Sequence, residues 1–174
     1  MKLPLSILFV CVVAACGSSG GSQGPGGGGP ANTVPLSNAP QSPTPAGSTN
    51  NVAFGGLLNN VRLANSAAPV VFDARLANAA QGHADDMLAQ DYFSHTGRNG
   101  SSPGDRITAA GYNWRTYGEN IAQGQSSQAQ VLQAWTNSPG HHANNINPAF
   151  EDFGLAKAGS GSDARWVLVL AAEQ

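Results

Sequence analysis

Between Gly17 and Val52 the chain runs through 36 residues without a single charge, 21 of them Gly, Pro or Ser. Such a stretch buries too little apolar surface to offset the entropy of ordering it, so it is expected to be disordered and to divide the chain. As a flexible coil of this length it reaches on the order of 30–36 Å. Its run Gly24–Pro30 is no phosphate loop, because it lacks a Gly-Lys-Ser/Thr ending, follows no strand and opens no helix. What lies beyond it, residues 53–174, is 122 residues long, enough for one real core.

The segment in front reads as an address. Met1–Lys2 is a short positive start, and Leu3–Ala15 is mostly apolar. That stretch falls short of the roughly twenty residues a membrane-spanning helix needs, but suits a secretory signal. It ends Val13-Ala14-Ala15-Cys16, which resembles the bacterial lipobox, whose cysteine is lipid-modified and becomes the new N-terminus. The organisation expected is therefore a lipoprotein signal peptide over 1–16, a tether over 17–52 and a domain over 53–174. Gly17, where an Asp would mark inner-membrane retention in lipoproteins, points to an exported, lipid-anchored protein of the outer membrane or cell surface. The two cysteines are Cys11 and Cys16, so the domain has neither a disulfide nor a thiolate metal site. With 8 Lys+Arg against 10 Asp+Glu it also lacks the basic stripe that nucleic acid requires.

Within the domain, Leu57, Leu58, Val61 and Leu63 mark a short first helix ending near Asn65. Asp73, a good N-cap, opens a second helix to about Tyr92, with Leu76, Ala77, Ala80, Ala84, Met87 and Leu88 as its buried stripe. Pro103 fits the first turn of a third helix through Ala110. Ser127 with Gln130 resembles a capping box opening a fourth, which Pro139-Gly140 is expected to stop. Tyr117–Gln123, Phe153–Ala158 and Arg165–Ala171 read as strands. The last is almost continuously apolar, as a strand covered on both faces should be. Gly159–Asp163 makes the last pair an antiparallel hairpin, and the whole is α+β with helices on both sheet faces.

Four histidines, His83, His95, His141 and His142, are the whole supply. His83 lies near the apolar stripe of the second helix and reads as a hydrogen-bonded histidine at the core edge. His95 and His141 fall beside glycine-rich turns at helix ends, where side chains tend to serve sites. Glu119, between Gly118 and Asn120 in an apolar strand, needs a partner, because a buried carboxylate is costly alone. Two imidazoles and a carboxylate suit a divalent ion, but their spacing carries no ligand signature, and the same three groups suit a hydrogen-bonded network on a cleft floor. Gly100-Ser101-Ser102-Pro103-Gly104 matches the G-x-S-x-G string of serine hydrolases. That reading fails, since the oxyanion hole needs an N–H from the residue after the serine and Pro103 has none.

Phe93-Ser94-His95-Thr96, Gly118-Glu119-Asn120-Ile121 and Trp135-x-x-Ser138-Pro139-Gly140-His141 resemble, in order, the signature blocks of the CAP superfamily of cysteine-rich secretory, antigen 5 and pathogenesis-related proteins. The likeness runs from about Leu57 to Leu170 and is strongest to the bacterial SCP-like extracellular branch. It implies a three-layer α-β-α sandwich with a central, mainly antiparallel sheet and a large cleft. Members with the full set line that cleft with two histidines and two glutamates. His95, His141 and Glu119 match three of them, while the second glutamate is replaced near Asn137-Ser138. His142 stands where bacterial relatives often carry Arg.

The resemblance leaves the activity open, because fold alone does not settle it. The leading expectation is an envelope-tethered domain, held to the membrane through lipidated Cys16, whose cleft at His95, Glu119 and His141 binds a ligand such as a lipid or envelope glycan. His95 and His141 are the candidate ligands of Zn²⁺ or another divalent cation. The alternatives are a metal-dependent hydrolase of peptide or peptidoglycan bonds, with Glu119 as its catalytic candidate, and a structural module that binds a protein partner.

Overall fold

The computed structural model describes residues 47–174, with side chains from Asn51 onward. In chain order its elements are α1 (Gly47–Ala64), β1 (Val71–Phe72), α2 (Ala74–Ala89), α3 (Pro103–Ala109), β2 (Trp114–Gln123), α4 (Gln128–Thr136), α5 (Pro139–Ile146), β3 (Asp152–Ala158) and β4 (Arg165–Glu173). The strands form one sheet in the order β1-β3-β4-β2. β1 runs parallel to β3, and β4 is antiparallel to both β3 and β2.

The alternation of β4 makes the molecule three-layered. Trp166, Leu168 and Leu170 join Phe54 and Leu58 of α1 and Val131, Leu132 and Trp135 of α4 in one core. Val167, Val169 and Ala171 join Leu76, Ala80, Ala84 and Met87 of α2 and Ile107 of α3 in the other. A strand with period two buried on both faces has no polar side to show, which is why its sequence is continuously apolar. α2 sits so close to β3 that a Cβ on Gly154 would lie 2.1 Å from the Ala77 nitrogen.

Asp73 caps α2 by accepting from the Arg75 and Leu76 amides. Ser102 and Asp105 cap α3 reciprocally, so the serine of the G-x-S-x-G string is a helix cap. Elsewhere the structure departs from expectation. α1 starts at Gly47, inside the stretch assigned to the tether: no proline lies between Pro45 and the end of the helix, and contacts from Asn51 onward hold it to the domain. Asn51 accepts the Leu155 amide at 3.0 Å, and Phe54 is fully buried. The signal, the lipobox with Cys16 and the rest of the tether lie outside the described residues. Pro139-Gly140 does not only stop α4; Pro139 is the first residue of a further helix, α5, where its missing N–H costs nothing. Ser127 caps α4, but Gln130 reaches back to the Ser126 amide and hydroxyl, so the box is not reciprocal. β1, two residues long, is too short to leave a pattern.

Candidate functional site

β2 is an edge strand of the described sheet, and successive residues on it face opposite sides. Glu119 and Ile121 turn toward the α2 layer, Asn120 and Ala122 toward α4 and α5. Each side thereby anchors one histidine. The Glu119 side chain is 2 % exposed, and its Oε1 accepts from His95 Nδ1 at 2.8 Å. Its Oε2 accepts from Arg106 Nη2 of α3, also at 2.8 Å. Arg106 further donates to the carbonyls of Ser101 and His95 at 3.0 Å, fixing the 94–101 loop that carries His95. His83 lies beneath, with Nε2 2.8 Å from the Ser94 carbonyl and 4.0 Å from Glu119 Oε1.

On the other side, the Asn120 amide donates to the His141 carbonyl at 3.0 Å and to Asn145 Oδ1 at 2.9 Å. Asn144 donates to Asn120 Oδ1 at 2.9 Å and to the Glu119 carbonyl at 3.3 Å. Trp135 Nε1 donates to the Ile121 carbonyl at 3.1 Å, so side chains from α4 and α5 occupy edge carbonyls of β2. His141 sits in the first turn of α5 rather than in a loop, with Nδ1 2.9 Å from Ser138 Oγ. His142, about 100° round the helix, does not converge with it.

The structure thus brings His95, Glu119 and His141 to one edge of the sheet, but in unequal roles. Both Glu119 oxygens are engaged, one by a guanidinium, and among the described residues no three His, Cys, Asp or Glu side chains are arranged to hold an ion. A three-ligand centre does not fit. What remains is the pair of imidazoles. A carboxylate can only accept, so His95 carries its proton on Nδ1 and has its Nε2 lone pair for a metal, an arrangement seen where carboxylates orient metal-binding histidines. His141 likewise has Nε2 uncommitted, its Nδ1 being matched to a hydroxyl that both donates and accepts. Arg106 was not found from sequence. Its one signal was the requirement that Glu119 have a partner in a chain with 8 Lys+Arg.

Burial lowers the pKa of His83, against the opposing pull of Glu119, and burial followed by the neighbouring His95 lowers that of His141. Both rings are neutral in the fold at pH values where the unfolded chain already takes up protons. Their contribution to stability is full above the ordinary histidine pKa of about 6.5 and is lost as pH falls through the lower folded values. Melting measured in chelator is therefore expected to weaken between pH 7.5 and pH 5, with a flatter slope in His83→Gln. A melting temperature constant across that range contradicts the assignment. The depressed carboxylates Asp73 and Asp86 act below this window.

A three-layer domain with Glu119, His95 and His141 along one edge of its sheet defines a class, and comparison supplies the family. The family model described as CAP, cysteine-rich secretory protein family, matches residues 56–170, and the chain belongs to that family. It is 37% identical over 106 residues to the uncharacterized protein YkwD of Bacillus subtilis strain 168, covering 61% of this chain and 41% of the relative. It is 30% identical over 99 residues to the uncharacterized membrane protein YlbC of the same organism, covering 57% and 29%. The chain thus spans less than half the length of these curated relatives. Among solved structures, an extracellular protein containing an SCP domain from Bacillus anthracis str. Ames matches with a TM-score of 0.64 at 29% identity, over 70% of this chain and 40% of that one. An outer surface protein from Borrelia burgdorferi shares the fold, with a TM-score of 0.66 at 20% identity over 73% and 95% of the two chains. The expected α+β class holds.

Proposed function

We propose that this is an exported, envelope-tethered binding domain whose cleft along the β2 edge takes an envelope lipid or glycan, with His95 and His141 as the ligands of a divalent cation. The observation that carries the reading is the commitment of Glu119: with one oxygen on His95 and the other on the Arg106 guanidinium, it is paired and placed to orient a histidine, and a carboxylate stabilised by a cation is a poor base toward water. Export is supported by the N-terminal segment and by relatives described as extracellular or outer surface proteins. A bound cation would supply a Lewis-acidic point for a phosphate or hydroxyl of the ligand. The protein's part is to hold two imidazoles across a sheet edge in fixed orientation.

The test is cosedimentation of the chain carrying Cys16→Ala, so that lipidation supplies no contact, with envelope lipid vesicles and with cell-wall glycan. Saturable binding to one of them is expected; no binding to any envelope fraction overturns the proposal. The hydrolase reading has one observation in its favour, the His95–Glu119 pair, which raises imidazole basicity. It predicts turnover of peptide or peptidoglycan substrates that chelation abolishes. In either case Glu119→Gln is expected to weaken Zn²⁺ affinity by about 10–100-fold, the usual loss when an outer-shell carboxylate is removed. Calorimetry checks this, and unchanged affinity removes Glu119 from the site.

A further inference from the structure

α1 has an apolar outward face as well as an inward one. Inward, Phe54 and Leu58 are fully buried in the core shared with α4. Outward stand Val52, Ala53, Gly56, Leu57, Leu63 and Ala64, with Asn60 the one polar side chain among them. Val52 and Leu63, 68 % and 59 % exposed, lie on one line about three turns apart. β1 is held beside this helix by Asn59, which exchanges hydrogen bonds with the Val70 backbone. Of the five large hydrophobic side chains exposed among the described residues, Val52, Leu57, Leu63 and Val71 belong to α1 and β1. A helix that is hydrophobic all round is ordinarily covered.

The surroundings are as unusual as the helix. From Cys16 to Phe72 the chain has one charged residue, Arg62, and its side chain is inside. α4 and α5, the other helices of this layer, lie within Ile121–Phe150, which has no Asp, Glu, Lys or Arg. A soluble surface ordinarily carries those four at about a quarter of its positions or more. Here they are on the opposite layer, with Asp85, Asp86, Asp105 and Arg106 on α2 and α3.

Two observations choose what covers the face. Protein partners are gripped through aromatic, Met or Arg anchors, and the outward side of α1 has none. The tether also leads straight into α1 at Gly47. As a coil, residues 17–46 reach about 30 Å, no more than the width of a domain of this size. A surface that holds the chain at Cys16 therefore keeps α1 beside it at millimolar effective concentration, where shallow contacts through Val and Leu suffice.

We propose that the outward face of α1 lies on the phospholipid bilayer that anchors the chain, a contact separate from the cleft on the β2 edge. It rests on the reading of a chain anchored at Cys16. Val52 and Leu63 on one side of Asn60 and Leu57 on the other reach the acyl boundary, while the Asn60 amide donates to an ester or phosphate oxygen. The charged α2–α3 layer faces water. With no charge on α1 to attract anionic lipid, the contact is independent of salt.

The test couples the chain from Cys16 onward, which has this one thiol, to a maleimide-headgroup lipid in phosphatidylcholine vesicles. The bulk lipid carries a diazirine near the ester end of its acyl chain, and photocross-links are mapped by mass spectrometry. Expected are cross-links at 52–64 at least tenfold above those at 74–89, unchanged by added phosphatidylglycerol or by 0.5 M salt. Val52→Asp/Leu63→Asp, at two exposed positions, is expected to lose them about tenfold with the melting temperature kept. Cross-links equal on α1 and α2, absent from α1 or retained in that variant overturn the proposal. So does a Cys16→Ala chain that sediments as a dimer broken by Val52→Asp/Leu63→Asp, which gives the face to a second copy. Coupling through the thiol makes the result independent of lipidation in the cell, which the mass of the cell-derived chain reads separately. An unmodified Cys16 therefore sinks the anchor, and missing α1 cross-links sink the docking face.

Discussion

Gly154→Ala is expected to unfold the domain at temperatures the wild type tolerates. The added Cβ would fall 2.1 Å from the Ala77 nitrogen and 2.3 Å from the Leu76 carbonyl carbon. Both are backbone atoms of a helix start pinned by the Asp73 cap, so no rotamer change relieves the clash. α2 has to lift from β3, opening the core of Leu76, Ala80, Met87, Val167 and Val169. Overpacking alone costs 1–3 kcal/mol, and against backbone a loss of about 3 kcal/mol or more is expected. For a domain of this size that lowers the melting temperature by on the order of 10 °C. Gly82→Ala on the same helix is the control: its Cβ meets open space, and exchanging Gly for Ala in a helix gains up to about 1 kcal/mol. Thermal melts of the two variants should diverge in opposite directions from the wild type. A wild-type melting temperature for Gly154→Ala contradicts the seating of α2 on β3.

The second large effect belongs to Arg62. Its guanidinium is fully buried and, among the described residues, no Asp or Glu pairs with it. Four carbonyls satisfy it instead: Ala68 at 2.7 Å, Asn145 at 2.8 Å, Asn147 at 3.1 Å and Phe150 at 3.2 Å. Asn145 and Asn147 lie at the C-terminal end of α5, where unpaired carbonyls make the helix end negative, and that field offsets part of the cost of burying the cation. Arg62 therefore ties the end of α1 to the helix that carries His141. Arg62→Met leaves those carbonyls buried without donors and is expected to cost about 3–5 kcal/mol in urea unfolding. Arg62→Lys, with a point charge in place of a fork, should recover only part of this. Amide exchange in α5 should quicken in both, and cleft affinity should fall with it. Arg62→Met at wild-type stability would refute this role.

Periodicity and caps made most of the layers legible. The α2 stripe, the Asp73 and Pro103 starts and the apolar run of β4 each state a local preference that tertiary packing then uses. Three features were hidden for physical reasons. The first turns of α1 are rich in Gly, Ser and Asn and are held by packing that involves Asn51 and Phe54, which composition does not register. Pro139-Gly140 has the same chemistry as a stop and as a first turn, and which one prevails depends on the contacts that residues 141–146 find against β2. β1 is two residues of pairing borrowed from β3. In the site, His95, Glu119 and His141 stood out because a chain with 10% charged residues has few to choose from. Arg106 did not, since its pairing with Glu119 exists only once α3 folds against β2. Nor did sequence show that adjacent Glu119 and Asn120 divide the work, one orienting His95 and the other holding the helix of His141.

That division is the central claim, and calorimetric titration of Zn²⁺ into the full chain tests it most directly. The account predicts one ion per chain in the wild type, no binding in His95→Ala/His141→Ala, and one-to-one but weaker binding in Glu119→Gln. A wild type that binds no ion, or a double variant that binds as the wild type does, would contradict it.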